Sequence, residues 1–252
     1  FPATGLIKLP ASTLRTMIGK TIFAISNEES RYTLNGALLV LKPESITMVA
    51  TDGHRLAHIE KQGEQFDVAG ENKTLVPKKA MSEIYSLLQN SESEFVDFAK
   101  DESTLFFRIG ERLLTSRQLT GQFPNYEAVL PRENTKVVTV RGTDLNTAIQ
   151  RVAQFADERS RAIRLRLDKN EIRISSSSTD AGESEDSIET AYAADPMTIG
   201  FNSEYLLDFL KASNGSEVRL EFKDAQSAGQ MRPEESADDG FKYRYVVMPM
   251  RI

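Results

Sequence analysis

Leu14-Arg15-Thr16-Met17-Ile18-Gly19-Lys20-Thr21-Ile22-Phe23-Ala24-Ile25 and Leu145-Asn146-Thr147-Ala148-Ile149-Gln150-Arg151-Val152-Ala153-Gln154-Phe155-Ala156 carry one apolar series twice. In the first it is Leu14, Met17, Ile18, Thr21, Ile22 and Ile25; in the second it is Leu145, Ala148, Ile149, Val152, Ala153 and Ala156, offset by 131 residues. The spacing i, i+3, i+4, i+7, i+8, i+11 is that of one helix face. Similar punctuation precedes both helices: Phe1-Pro2 and Leu9-Pro10 in the first case, Phe123-Pro124 and Leu130-Pro131 in the second. Two like-built domains are expected, 1–125 and 126–252, and a seam between duplicated domains is where binding clefts commonly form.

Working outward, each copy reads as helix, strands, helix, strands. The first continues with strands at Tyr32 to Val40 and Ile46 to Ala50, a helix from Lys78 to Gln89 introduced by Pro77, and strands at Glu94 to Phe98 and Thr104 to Arg108. In the second copy Ile163, Leu165 and Leu167 alternate with Arg164 and Arg166, the signature of a half-buried strand, and Asp168-Lys169-Asn170 turns into Ile172 to Ser175. A helix from Ser203 to Lys211 follows its capping residue Asn202, then strands at Val218 to Phe222 and Tyr243 to Met248. Two helices on one face of a mainly antiparallel sheet make an α+β layer, here present twice.

The 252 residues suffice for two domains that each bury a core. Phe1 in place of Met reads as a chain that begins inside a longer product, and no apolar run is long enough for a membrane anchor. The absence of cysteine excludes disulfides, thiolate catalysis and cysteine metal sites, and two histidines with no carboxylates at ligand spacing leave no metal site. The net charge of −6 is uneven: residues 1–122 hold 14 Lys and Arg against 15 Asp and Glu, the rest 17 against 22. Much of the second deficit falls in Asp180, Glu183, Glu185, Asp186 and Glu189 and in Glu234, Glu235, Asp238 and Asp239, both read as solvated loops. Basic residues Arg15, Lys20, Lys78, Lys79, Arg151 and Lys211 stand off the apolar helix stripes, which on spacing alone is ordinary solvated helix surface.

Three segments invite a functional reading. Thr51-Asp52-Gly53-His54-Arg55-Leu56 carries an Asp-Gly hairpin signal, and Asp52 with His54 would be the general-base pair of an enzyme, yet no nucleophile elbow, phosphate loop or carboxylate cluster accompanies it. Tyr245-Val246-Val247-Met248-Pro249-Met250-Arg251-Ile252 reads either as a final core strand with a frayed tip or as a methionine-rich peptide-binding rim, since proline has no ladder hydrogen bond to give. Phe155, one place off its stripe, fits a contact with another domain or subunit and equally well packing within its own domain.

Tyr32-Thr33-Leu34-Asn35-Gly36, Ala50-Thr51-Asp52-Gly53-His54-Arg55-Leu56-Ala57, Phe123-Pro124-Asn125-Tyr126, Gly200-Phe201-Asn202 and Tyr245 to Ile252 together resemble the beta sliding clamp family of the bacterial replicative DNA polymerase. The similarity runs in order over essentially the whole chain and covers the family's second and third domains, the first being absent. The resemblance implies a non-catalytic, cytoplasmic processivity subunit without cofactor. Two three-domain chains would close as a homodimer ring around duplex DNA, while this two-domain piece stays monomeric. It also implies helices lining the hole, so that Arg15, Lys20, Tyr32, Lys78, Lys79, Arg151 and Lys211 face phosphates without reading bases.

Its partner site is a cleft that takes short peptides from the polymerase catalytic subunit, the clamp loader and repair polymerases. Carried over, its residues are Arg31, Leu34, Thr51, Gly53, His54, Arg55, Leu56, Pro124, Val129, Asn202, Tyr205, Val246, Val247, Met248, Pro249, Met250 and Arg251. Gln154 and Phe155 match ring-interface positions, and with the first domain absent Phe155 is expected to be exposed. Thr33, Ala128 and Gln226 depart from the family pattern beside the cleft. The rival from another class is a two-domain peptide-binding adaptor that never encircles DNA.

Overall fold

The computed structural model of the chain describes residues 1–234 and 239–252. Two compact units emerge. Among the described residues, the first holds Phe1–Ala128 with residues 239–243, and the second holds residues 129–234 with Arg244–Ile252.

The first unit runs β1 (Ile7–Pro10), α1 (Ala11–Thr21), β2 (Gly36–Lys42), β3 (Ser45–Thr51), β4 (Arg55–Gln62), β5 (Asn72–Pro77), α2 (Lys78–Gln89), β6 (Phe95–Lys100), β7 (Thr104–Ile109) and β8 (Arg112–Arg117). Its antiparallel strands form the orders β1-β6-β7-β8 and β5-β2-β3-β4. Helix α1 buries Leu14, Met17, Ile18 and Thr21, and α2 buries Met81, Ile84 and Leu88, so the 3.6-residue stripe meets the core as its spacing predicts. The two helices pack side by side. Strand β2 is a continuous apolar run, and Leu38, Leu39, Val40 and Leu41 are all buried, as a strand covered on both faces requires.

The second unit runs β9 (Lys136–Arg141), α3 (Gly142–Ala153), β10 (Ala162–Asp168), β11 (Glu171–Ser178), β12 (Gly182–Glu189), β13 (Met197–Asn202), α4 (Ser203–Ala212), β14 (Glu217–Phe222) and β15 (Gly229–Pro233). The last strand, β16 (Phe241–Val247), contributes Arg244–Val247 to this unit, where Tyr245, Val246 and Val247 pair with Met231, Gln230 and Gly229. Sheet orders are β12-β11-β10-β13 and β9-β14-β15-β16. The expected alternation holds in β10, where Ile163, Leu165 and Leu167 are buried and Arg164 and Arg166 exposed. Asn202 caps α4 by accepting from the Glu204 amide at 2.9 Å.

Each unit is thus helices on antiparallel sheet, the α+β plan expected. Three local expectations are corrected. Tyr32–Leu34 is a 3-10 turn, closed by Leu34 N–H to Arg31 O at 2.8 Å and Asn35 N–H to Tyr32 O at 3.2 Å, and the strand begins only at Gly36. The acidic stretch ending at Glu189 is not a loop: residues Gly182–Glu189 form the edge strand β12, paired along its length with β11. Its charges are compatible with a strand because an edge is wetted, and like charges along it discourage pairing with foreign strands. Of the second acidic group, Glu235 and Asp238 lie outside the described residues. Finally, α3 ends at Ala153, so Phe155 sits in the following turn and is half-buried rather than exposed. The expectation of exposure assumed that Phe155 packs only against another domain; in the turn after α3 part of it is instead covered within this chain, the alternative that its off-stripe position left open.

Candidate functional site

In the first unit the residues singled out in Thr51 to Leu56 form a braced hairpin turn. Thr51 pairs with Leu56 across it, and Gly53 occupies the left-handed region at φ +90°. A side chain at Gly53 is strained by that backbone conformation and would also displace the flexible end of Arg31, whose guanidinium lies where its Cβ would go. Thr51 Oγ1 donates to Arg55 O at 2.6 Å and accepts from the Gly53 amide at 3.1 Å. Asp52 Oδ1 accepts from the amides of His54 and Arg55 at 2.9 and 3.1 Å, while Oδ2 pairs with Arg55 Nε at 3.2 Å.

Arg55 then reaches back, donating from Nη2 to Phe23 O at 2.9 Å with its guanidinium over the Phe23 ring. Arg31 Nη1 donates to Asp52 O at 3.2 Å, and its Nε pairs with Glu28 at 3.1 Å. Gly53 and His54 stand exposed at the tip, whereas Thr51 and Leu56 are buried and serve as its support; Leu34 is buried as well. Asp52 therefore acts as the keystone of a turn, both oxygens engaged by amides and a guanidinium. These contacts account for Asp52 as a structural residue of the turn. Pro124 is exposed and Ala128 closes the 3-10 turn Tyr126–Ala128.

In the second unit the terminal segment changes character at Val247. Tyr245, Val246 and Val247 are buried; Tyr245 stacks on Phe209 at 5.2 Å and donates its hydroxyl to Tyr205 O at 2.7 Å. The strand stops before Pro249, as proline's missing N–H dictates, and Met248 is 44% exposed with Arg251 exposed beyond it. The chain then returns to the sheet, Met250 N–H bonding to Gly200 O at 2.8 Å. Asn202 and Tyr205 are half-buried on β13 and α4, and Val129 is 43% exposed. Gln226 is exposed in a turn held by Asp224.

The basic residues placed on the helices divide by environment. Arg15, Lys79, Arg151 and Lys211 are exposed, as is Tyr32. Lys20 and Lys78 are half-buried, and desolvation lowers both pKa values, opposed at Lys20 by Asp239 and reinforced at Lys78 by Arg55. Lys20 lies over the Tyr243 ring, and Lys78 donates to Asn27 Oδ1 at 2.7 Å. Arg151 pairs with Asp186 of β12 at 3.4 Å, so the acidic strand lies within reach of a helix cation instead of apart from it. Gln154 is exposed next to the half-buried Phe155. Among the described residues no group of three or more His, Cys, Asp or Glu is arranged to hold a metal ion, and no helix is long and apolar enough to cross a membrane.

Sequence reasoning left out Glu28, Phe23 and Gly200, which hold these segments in place. Only Gly200 left a trace, as part of the quoted Gly-Phe-Asn; the others act through a backbone carbonyl, a ring face and an ion pair that no local pattern announces.

Residues 8–125 match the central domain, and residues 127–251 the C-terminal domain, of the DNA polymerase III beta subunit. The beta sliding clamp of Proteus mirabilis is 34% identical over 244 residues, 97% of this chain and 65% of that protein, so the chain spans about two thirds of such a relative's length. The DNA polymerase sliding clamp of Pseudomonas aeruginosa superposes with a TM-score of 0.91 at 34% identity, covering all of this chain and 69% of that one. A clamp from the same organism bound to griselimycin superposes at 0.90 with 33% identity, over all of this chain and 68% of that one. With both domain families matched in order and the fold retained across the full chain, the protein belongs to the DNA polymerase III beta subunit family, the beta sliding clamps.

Proposed function

We propose that this chain is the partner-docking and DNA-tracking portion of a DNA sliding clamp, a non-catalytic processivity factor working in the cytoplasm. Short peptides with apolar ends engage the turn carrying Gly53, His54 and Arg55 together with Pro124 and Val129, and the terminal segment Val246–Arg251 with Asn202 and Tyr205. The observation that carries the reading is the contrast within these segments. Exposed Gly53, His54, Met248 and Arg251 are mounted on buried, hydrogen-bonded supports, which is the preorganisation a docking surface needs. Methionine supplies a deformable apolar contact for different peptides, and the exposed His54 and Arg251 supply donors for a backbone or carboxylate, with Arg55 behind them bracing the turn.

With the family's remaining domain, two chains close as a homodimer ring on duplex DNA, with Gln154 and Phe155 at the ring interface. The helix residues Arg15, Lys20, Lys78, Lys79, Arg151 and Lys211, with Tyr32, face phosphates. Binding there is sequence-independent and falls steeply with salt. Polymerase catalytic subunit, clamp loader and repair polymerases dock on the ring, and tethering raises the effective concentration of a polymerase at the primer end. The two-domain piece alone is monomeric and retains peptide binding.

The test is fluorescence anisotropy of a labelled peptide ending in leucine and phenylalanine, titrated with this chain and with a version ending at Val247. Saturable binding lost on truncation supports the reading. Equal binding by both moves the site elsewhere, and no binding by either refutes peptide docking by this piece. A linked test joins this chain to the family's further domain and compares retention on circular and linear DNA. Equal retention would favour the adaptor that never encircles DNA.

A further inference from the structure

Gly200 sits in the middle of β13, paired with Arg164 of β10, and nothing in its backbone requires glycine, since its φ is not positive. Its neighbours Ile199 and Phe201 fill the core, and a glycine between them weakens a strand by its lost packing and added backbone entropy. The reason for tolerating it lies in what returns to this strand. A Cβ on Gly200 would point into the Ile252 side chain and come within 3.1 Å of Met250 O, while Gly200 O accepts the Met250 amide at 2.8 Å. The absent side chain is thus the berth in which the segment after Pro249 comes to rest.

We infer that Gly200 is a positioning residue for peptide docking: by leaving this berth open it seats Met250 against β13 and sets the direction in which Met248 and Arg251 project. The inference rests on the peptide-docking function proposed above. Met248 lies between two anchored points, the buried strand end at Val247 and the Met250 bridge, so a side chain at residue 200, which must displace Ile252 and crowds Met250 O at 3.1 Å, weakens the second anchor and leaves the first intact. The freed segment must then be ordered by each arriving peptide, which weakens affinity without removing any contact residue.

The experiment uses Gly200→Val and the milder Gly200→Ala, with two readouts. The backbone 15N heteronuclear NOE of Met250 reports seating without any peptide, and peptide anisotropy reports docking. In Gly200→Val the Met250 NOE is expected to fall to that of a free terminus and peptide affinity to drop about tenfold. The urea midpoint stays level or rises, because valine suits a strand better than glycine. Gly200→Ala shows a smaller loss, and adding Ile252→Gly, which clears the flexible part of the clash, restores both readouts. An unchanged Met250 NOE in Gly200→Val overturns the seating, and an undocked segment with wild-type affinity overturns its role in binding. If the wild-type chain itself binds no peptide, the docking function falls, and the NOE still decides the seating.

Discussion

Replacing Asp52 with alanine attacks the hairpin turn at the point where most of its polar links converge. The carboxylate accepts two amide hydrogen bonds and pairs with Arg55 at 3.2 Å, and the two side chains are only 16% and 11% exposed. At an effective dielectric of about 20, opposite charges at that separation attract by roughly 5 kcal/mol before desolvation is charged against them. Net values are smaller: hydrogen bonds to a charged acceptor contribute about 1.5–3 kcal/mol, and stranding a largely buried partner is what makes half-removal costly. Asp52→Ala should therefore destabilise the first unit by about 3 kcal/mol, at the low end of what breaking a buried pair costs because the turn is at the surface. Asp52→Asn keeps an oxygen for the two amides and loses the ion pair, so about half of that loss is expected.

The measurement is urea unfolding followed by a probe in each unit, since two units need not unfold together, for Asp52→Ala, Asp52→Asn, Arg55→Ala and the double alanine variant. A coupling of about 1–2 kcal/mol between residues 52 and 55 is expected from contacting residues of one network. If Asp52→Ala costs less than about 0.5 kcal/mol, or the two single losses simply add, the turn is held by its backbone ladder and the keystone argument is wrong.

Asn202→Ala removes the oxygen that caps the Glu204 amide and should lower stability of the second unit by about 1 kcal/mol, read as a shift in urea midpoint at constant m-value. Leu145→Ala, at a fully buried site bordering an apolar cavity with Leu165, Phe201 and Met231, should cost about 4 kcal/mol, because the new void merges with an existing one; a loss under about 2 kcal/mol would show that the site collapses. Backbone amides of Ser103, Ser160 and Gln226 lead the interactions that hold the carboxyls of Asp101, Asp157 and Asp224 below their ordinary pKa values. A depressed folded-state pKa gives stability that is present above the unfolded value and lost as pH falls through the folded one. The triple Asp→Asn variant should thus show a shallower fall in stability below about pH 4, and an unchanged acid limb would refute it.

Helices and alternating strands were legible because their signal is periodic and local. Leu14, Met17, Ile18 and Thr21 of the first stripe and the Ile163-Leu165-Leu167 alternation all end as buried side chains, while Ile22, just past the end of α1, is half-buried. What escaped was structure made by partners distant in sequence. Strand β12 looks like a solvated loop because Ile188 is its one apolar side chain and makes no alternation by itself; its ladder to β11, in which Ile188 pairs with Ile172, supplies the reason, and that ladder cannot be read from Glu183 or Glu185. Tyr32–Leu34 has the composition of a strand but closes as a 3-10 turn, where Arg31 and Asn35 supply the closing bonds. At the candidate site the motif residues were evident, whereas their roles were not: Asp52 reads as chemistry beside His54 until its oxygens are seen to hold a turn.

The distribution of charge makes the same point about function. A net charge of −6 argues against a nucleic-acid partner only if charge acts as a sum, and local pairing decides otherwise. Arg15, Lys79 and Lys211 are exposed cations, while Arg151, exposed as well, spends part of its field on Asp186. Such a pair is worth little to stability at 69% exposure of the arginine, yet it discounts that arginine as a phosphate contact. Asp186→Asn should therefore leave the urea midpoint of the chain within error and, in the proposed ring formed with the family's further domain, strengthen DNA binding at low salt with a steeper salt dependence. Unchanged binding would mean that Arg151 does not face the phosphates, and the list of DNA-facing residues would lose its member on α3.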